Sequence, residues 1–124
     1  MITVLSDGTF DGLHFGHIAH LQQARQLGDR LVVALATDEV VQHRKGPGHP
    51  RFPYASRLAM LHALSCVDEV LPSIDSFDLV DKLRPEIYAK GQEYAESGDH
   101  PAFQKMVRLV ASYGGRVALV GEQI

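Results

Sequence analysis

The sequence predicts an α/β domain, a doubly wound parallel five-stranded sheet with helices on both faces. Three features point there. Strand-like and helix-like segments alternate along the whole chain. One segment, "RLVVALAT", is continuously apolar and rich in β-branched residues, as a strand buried on both faces must be. Near the end, Phe103, Met106, Val107 and Val110 recur at i, i+3, i+4 and i+7, the spacing of one helix face.

The elements follow in order. "MITVLS" is a short apolar run that closes on Asp7-Gly8, a strand passing into a loop. From Gly16 to Leu27, Ile18, Leu21, Ala24 and Leu27 keep helical spacing, and Gly28 stops the helix. "RLVVALAT" is the second strand. The stretch from Thr37 to Pro53 reads as a loop, because "RKGPGHPRFP" holds three prolines and two glycines. Helical spacing returns from Tyr54 to Ser65, and "DEVLP" supplies a short strand. A helix over Ser76 to Leu83 and a strand at "EIYAKG" come next. The helix around Phe103 ends at Gly114-Gly115, and "RVALV" is the last strand. That rhythm implies right-handed crossovers between parallel strands.

Composition sets the class of partner. The 124 residues are 45% hydrophobic and 22% charged, with a formal net charge of −3, which suits one globular domain spanning 1–124. No block of Lys and Arg is long enough for a nucleic-acid arm, so a nucleic-acid partner is not expected. A small phosphorylated ligand needs only a local site. The single cysteine, Cys66, lies in an apolar helical run and reads as inert packing, which fits a reducing cytoplasm. No leader-like start and no bilayer-length apolar run is present, so the expectation is a cytoplasmic protein without a membrane partner.

In an open parallel sheet, ligands bind beyond the carboxyl ends of the strands. The loops there carry His14 and His17 after the first strand, Arg44 and Lys45 after the second, and Lys90-Gly91 after the fourth. Neither a G-x-G-x-x-G nor a G-x-x-x-x-G-K-[ST] pattern occurs, so the dinucleotide fingerprint and the P-loop are absent. A helix starting near Gly16 brings His14 and His17 to its N-terminus, where free N–H groups and the macrodipole favour an anion. Gly16 would let a phosphate approach the backbone. The spacing also admits a metal site from His17, His20 and Asp11, or a plain helix start. Asp38 reads either as an acceptor contact at the end of the second strand or as a helix cap.

"GTFDGLHFGH" resembles the signature of the H-x-G-H nucleotidyltransferase superfamily, in its cytidylyltransferase-like branch. The similarity runs on through "RKG" and "KGQEY" and covers nearly the whole chain. It is closest in kind to glycerol-3-phosphate cytidylyltransferases and to the adenylyltransferase domain of ADP-heptose synthases, with "KGPG", "LRPEIYAKGQEY" and "YGGRV" nearer the latter. The resemblance implies a Rossmann-like fold and transfer of a nucleotidyl group from ATP or CTP to a sugar-phosphate or polyol-phosphate. Pyrophosphate is released, and Mg²⁺ arrives with the NTP rather than in a metal site of the protein. A non-catalytic nucleotide-binding module is the alternative of another class. The resemblance also implies a homodimer.

It assigns roles residue by residue. His14, His17 and Lys45 become catalytic; Thr9, Phe10, Asp11, Gly16, Lys90, Gly91 and Glu93 become nucleotide-binding; Asp38, Arg44 and Arg57 become substrate-binding. Thr9 and Phe10 act through backbone N–H groups, and Asp11 holds the loop or orients a histidine. Arg44 and Lys45 close over the ligand on a Gly/Pro loop, and Arg57 faces the site from the next helix. His20, His43, His49, His62 and His100 are surface or packing residues. Gln92-Glu93 stands where the heptose group has Gly-Asp. A Ser/Thr-rich segment that grips the triphosphate is expected beyond Ile124.

Overall fold

A computed structural model describes residues 1–91 and 101–121. The elements run β1 (Thr3–Gly8), α1 (Phe15–Gln26), β2 (Arg30–Ala36), α2 (Asp38–Lys45), α3 (Tyr54–His62), β3 (Glu69–Ser73), α4 (Ser76–Leu83), β4 (Ile87–Gly91), α5 (Pro101–Ser112) and β5 (Arg116–Val120). The five strands form one sheet in the order β3-β2-β1-β4-β5. Every pairing is parallel, so the expected α/β architecture is present.

Because successive strand residues point to opposite faces, β2 divides its side chains between two core layers. Leu31, Val33 and Leu35 join Leu21 and Ala24 of α1 and Leu61 of α3 on one face. Val32 and Ala34 join Val80 of α4 with Met106 and Val110 of α5 on the other. Those five β2 residues are at most 1% exposed, which is why the segment reads as uninterrupted hydrophobicity. Cys66 packs against the first layer, half-buried, and burial pushes its thiol up, away from nucleophilic use. Among the described residues, no helix is long and apolar enough to cross a membrane.

The stretch between β2 and α3 departs from expectation. Its first half is the helix α2 instead of a loop. Thr37, not Asp38, is the N-cap, and its hydroxyl accepts from the Val40 N–H at 3.4 Å. Asp38 and Glu39 open the helix while His43, Arg44 and Lys45 close it, so both ends suit the macrodipole. Only Val41 is buried, so the helix has no apolar periodicity to betray it.

Sheet order fixes where a ligand can sit. The chain winds outward from β1 through β2 to β3, then returns to place β4 on the other side of β1. The crevice opens at that reversal, beyond the carboxyl ends of β1 and β4.

Candidate active site

A cavity of about 480 Å³ occupies this crevice. The β1–α1 loop contributes Gly8 to Gly12, α1 contributes His17, and α2 with the loop after it contributes Arg44, Lys45, His49 and Arg51. Asp7, Ser73, Ser76 and Lys90 complete the opposite wall.

The start of α1 is built by its two histidines. His14 is the N-cap, a place more often taken by Ser, Thr, Asp or Asn. Its Nδ1 accepts from the Gly16 N–H at 3.0 Å, and the His17 Nδ1 accepts from the His14 N–H at 3.3 Å. With Nδ1 of each ring accepting, a neutral ring carries its proton on Nε2. The cap therefore fixes the tautomer, giving each imidazole an Nε2–H donor at the positive end of the helix. The two rings lie 3.9 Å apart, centroid to centroid. His17 lines the cavity and is half-buried, while His14 sits outside it, exposed and stacked on its neighbour. Gly16 is buried, and its N–H is spent on the cap.

Phe10 holds this corner in place. It is buried with φ +48°, a region that bulky residues rarely enter, and its ring meets His17 edge-on at 5.5 Å. Room for that ring comes from Gly8, where a Cβ would lie 2.8 Å from the Phe10 Cε2. Asp11 accepts from the backbone N–H groups of Arg51 and Phe52 at 2.7 and 2.8 Å, strapping the loop that carries His49 and Arg51 to the first loop. Burial raises the Asp11 carboxyl, but those two donors, with the charges of Arg51 and Arg57, together outweigh it and hold the group below its ordinary value. Of its two expected roles, it holds the loop.

Arg57 corrects an expectation. It is fully buried beneath the cavity and does not line it. Its Nε donates to the Phe52 carbonyl, one terminal nitrogen to the Thr9 and Ala36 carbonyls, and the other to Asp38, at 2.6 to 2.9 Å. The guanidinium fastens three segments together, so it frames the pocket without offering charge to a substrate. Asp38 is its partner and also lies outside the cavity lining. Arg44 and Lys45 reach the cavity from the last turn of α2, not from the Gly/Pro loop. Both are exposed.

Across the cavity, Asp7 is a residue that the sequence reading passed over as a loop signal. Its Oδ2 accepts from the Ser76 hydroxyl at 2.8 Å and the Tyr88 hydroxyl at 2.6 Å, and its Oδ1 from the Lys90 ammonium at 2.8 Å. Burial alone would raise this carboxyl. The charge of Lys90 and the three donors prevail and keep it below the ordinary value. Its signal was its place, a carboxylate at the carboxyl end of a central strand. Ser73, Ser76, His49 and Arg51 were likewise not anticipated as lining residues. Gly91 ends β4 beside Val120 of β5, and Glu93 lies outside the described residues. His20 shares a 2.8 Å hydrogen bond with the buried Ser6 and does not line the cavity. Among the described residues, no group of three or more His, Cys, Asp or Glu is arranged to hold a metal ion.

The chain is similar to known proteins over almost its whole length. The chain is 42% identical over 119 residues to the bifunctional protein HldE of Syntrophotalea carbinolica and 42% identical over 123 residues to that of Magnetococcus marinus. Each match covers 94% of this chain, which spans 23% of the length of those relatives. The crystal structure of a lipopolysaccharide core biosynthesis protein from Thermoplasma volcanium superposes with a TM-score of 0.75 at 31% identity, covering 99% of this chain and 97% of that one. A family model described as cytidylyltransferase-like matches residues 5–120, and the chain belongs to that family.

Proposed function

We propose that this chain is a nucleotidyltransferase of the heptose-1-phosphate adenylyltransferase kind, moving a nucleotidyl group from an NTP to a sugar-phosphate or polyol-phosphate. The observation that carries the reading is the fixed Nε2–H tautomer of the His14–His17 pair, whose His17 lines the same cavity as the cationic pair Arg44 and Lys45. Relatives that cover almost the whole chain support it.

The chemistry follows from that geometry. An acceptor phosphate oxygen attacks the α-phosphorus in line, a new P–O bond forms, and the bond to the β-phosphate oxygen breaks. Negative charge grows on the α-phosphoryl oxygens and on the departing pyrophosphate. Histidine donors already oriented by the helix cap meet that charge without reorganising, where donors are worth most. Backbone N–H groups of Thr9 and Phe10 border the same space. Lys45 and Arg44 neutralise the polyphosphate, and Lys90 bounds the far side.

Mg²⁺ belongs to the substrate in this scheme, as MgNTP. The described carboxylates that surround the cavity are committed: Asp7 to Lys90, Asp11 to two backbone N–H groups and Asp38 to Arg57. They do not make a dedicated protein cage, and the triphosphate oxygens are the natural ligands. We place the protein in the cytoplasm and, on the family resemblance, as a homodimer, which sedimentation velocity reads directly.

The test is pyrophosphate release, with ATP and CTP each offered against heptose 1-phosphate and glycerol 3-phosphate. Release with ATP and heptose 1-phosphate is the expected result. Release with CTP and glycerol 3-phosphate would reassign base and acceptor within the same chemistry. Tight NTP binding with no release from any pair would make the chain a binding module.

A further inference from the structure

A second cavity of about 220 Å³ adjoins the first, and Asp7, Arg44, Ser76 and Lys90 line both. Its remaining wall is largely apolar, with Phe77 of α4 and Phe103 and Met106 of α5. Asp7 thus stands at the neck between a cationic chamber and an apolar one.

A carboxylate is out of place in a chamber built for phosphates. It would repel the triphosphate, and its own side chain is only 13% exposed, so water screens it little. What suits such a group is a neutral hydrogen-bond donor. The carboxylate can accept about four hydrogen bonds, and three are filled, two of them on Oδ2. Among the described residues Oδ1 takes only Lys90, and it is held in a fixed position by the network behind it. The ligand part that follows a phosphate and carries neutral donors is the hydroxylated carbon chain of a sugar or polyol. Its C–H surface suits the apolar chamber beyond.

We propose that Asp7 is a specificity-determining residue that accepts a hydrogen bond from a hydroxyl of the acceptor. The acceptor's phosphate lies on the His17 and Lys45 side of the neck, and its carbon chain enters the chamber lined by Phe77, Phe103 and Met106. This rests on the nucleotidyl-transfer reading for the phosphate end of the ligand. It adds which part of the pocket distinguishes a polyhydroxylated phosphate from a simple one.

The test compares two ligands by calorimetry, heptose 1-phosphate and methyl phosphate, on the parent and on Asp7→Asn. The ratio of their dissociation constants isolates the hydroxylated part, because any change at the phosphate end cancels. The parent should prefer heptose 1-phosphate by at least about ten-fold, and Asp7→Asn should erase about ten-fold or more of that preference, the scale of a hydrogen bond to a charged group. An unchanged ratio in Asp7→Asn, or no preference in the parent, overturns the proposal. If circular dichroism finds Asp7→Asn unfolded, the double variant Asp7→Asn/Lys90→Gln replaces both members of the ion pair and carries the same comparison. Pyrophosphate release is scored separately on the parent. A parent that releases none yet keeps an Asp7-dependent preference would end the transferase reading and leave the subsite standing.

Discussion

The two walls of the cavity are assembled in opposite ways. At the start of α1, the defining hydrogen bonds span two or three residues, Gly16 to His14 and His14 to His17. At the neck, Asp7 gathers donors from Ser76, Tyr88 and Lys90, which lie 69, 81 and 83 residues further along the chain. The first wall forms whenever its helix forms. The second exists only once β1 and β4 are paired and α4 is packed against them. Chemistry on the local wall is therefore separable from stability, whereas chemistry at the neck is tied to it.

The sharpest way to break this comparison is to divide the two jobs of His17. Asn places an acceptor near the Nδ1 position and can keep the cap, but it has nothing at Nε2. Gln reaches the Nε2 position with an N–H donor and gives up the cap. His17→Asn should lose about a hundred- to a thousand-fold in turnover, the usual cost of one preorganised donor to developing charge. It should melt with the parent, and His17→Gln should recover part of the rate. A large fall in melting temperature for His17→Asn would place stability on the local wall as well.

The neck should answer in stability. Asp7→Ala removes a carboxylate that the largely buried Lys90 ammonium and the Ser76 and Tyr88 hydroxyls all bind, and should cost about 3 kcal/mol, measured by urea unfolding. The sign with pH follows from a carboxyl held below its ordinary value of 3.8 in the folded chain. Its stabilisation is complete above that value and is lost as pH falls through the lower folded one. The stability gap between parent and Asp7→Asn should therefore narrow below about pH 4 and be flat near neutrality. A gap that widens on acidification would mean that Asp7 is not the ionised partner described above.

The smallest structural effect is expected at Lys45. It is exposed on the last turn of α2, where it lines the cavity. Lys45→Ala should slow turnover by about ten-fold or more, as loss of a cation on the polyphosphate does, and leave the unfolding midpoint unchanged. A shift of several degrees with turnover intact would make it a helix-capping residue instead.

The same contrast explains what the sequence could disclose. The strands, α1, α3, α4 and α5 were legible, because their apolar residues fall in runs or stripes of the sequence that periodicity detects. The helix α2 was not, since Val40 and Val41 are its only apolar residues and its stability comes from a threonine cap and charges at its ends. Among the residues that line the cavity, His17 was picked out through spacing, with His14 beside it at the helix cap, and Lys45 and Lys90 through resemblance. Their modes of action were less so. Nothing in "HFGH" announces that the two rings cap the helix for each other, because histidine is not a usual cap. Arg57 was identified as important but turned the wrong way, since its role depends on carbonyls at positions 9, 36 and 52 that only the fold brings together. Asp7 failed for the same reason, with all its partners more than half the chain away.

Arg57 also sets a rule for redesign. One side chain clasps the segment after β1, the end of β2 and the approach to α3, so these three cannot shift independently. Lysine offers three donors from a single point and cannot span the same carbonyls as a planar fork. Residues 46–51 lie between α2 and that clasp. A graft of new sequence there keeps its two anchorages if it spares the Phe52 carbonyl and the N–H groups that Asp11 receives. That short arc is the piece of the active site that can be exchanged without rebuilding the rest.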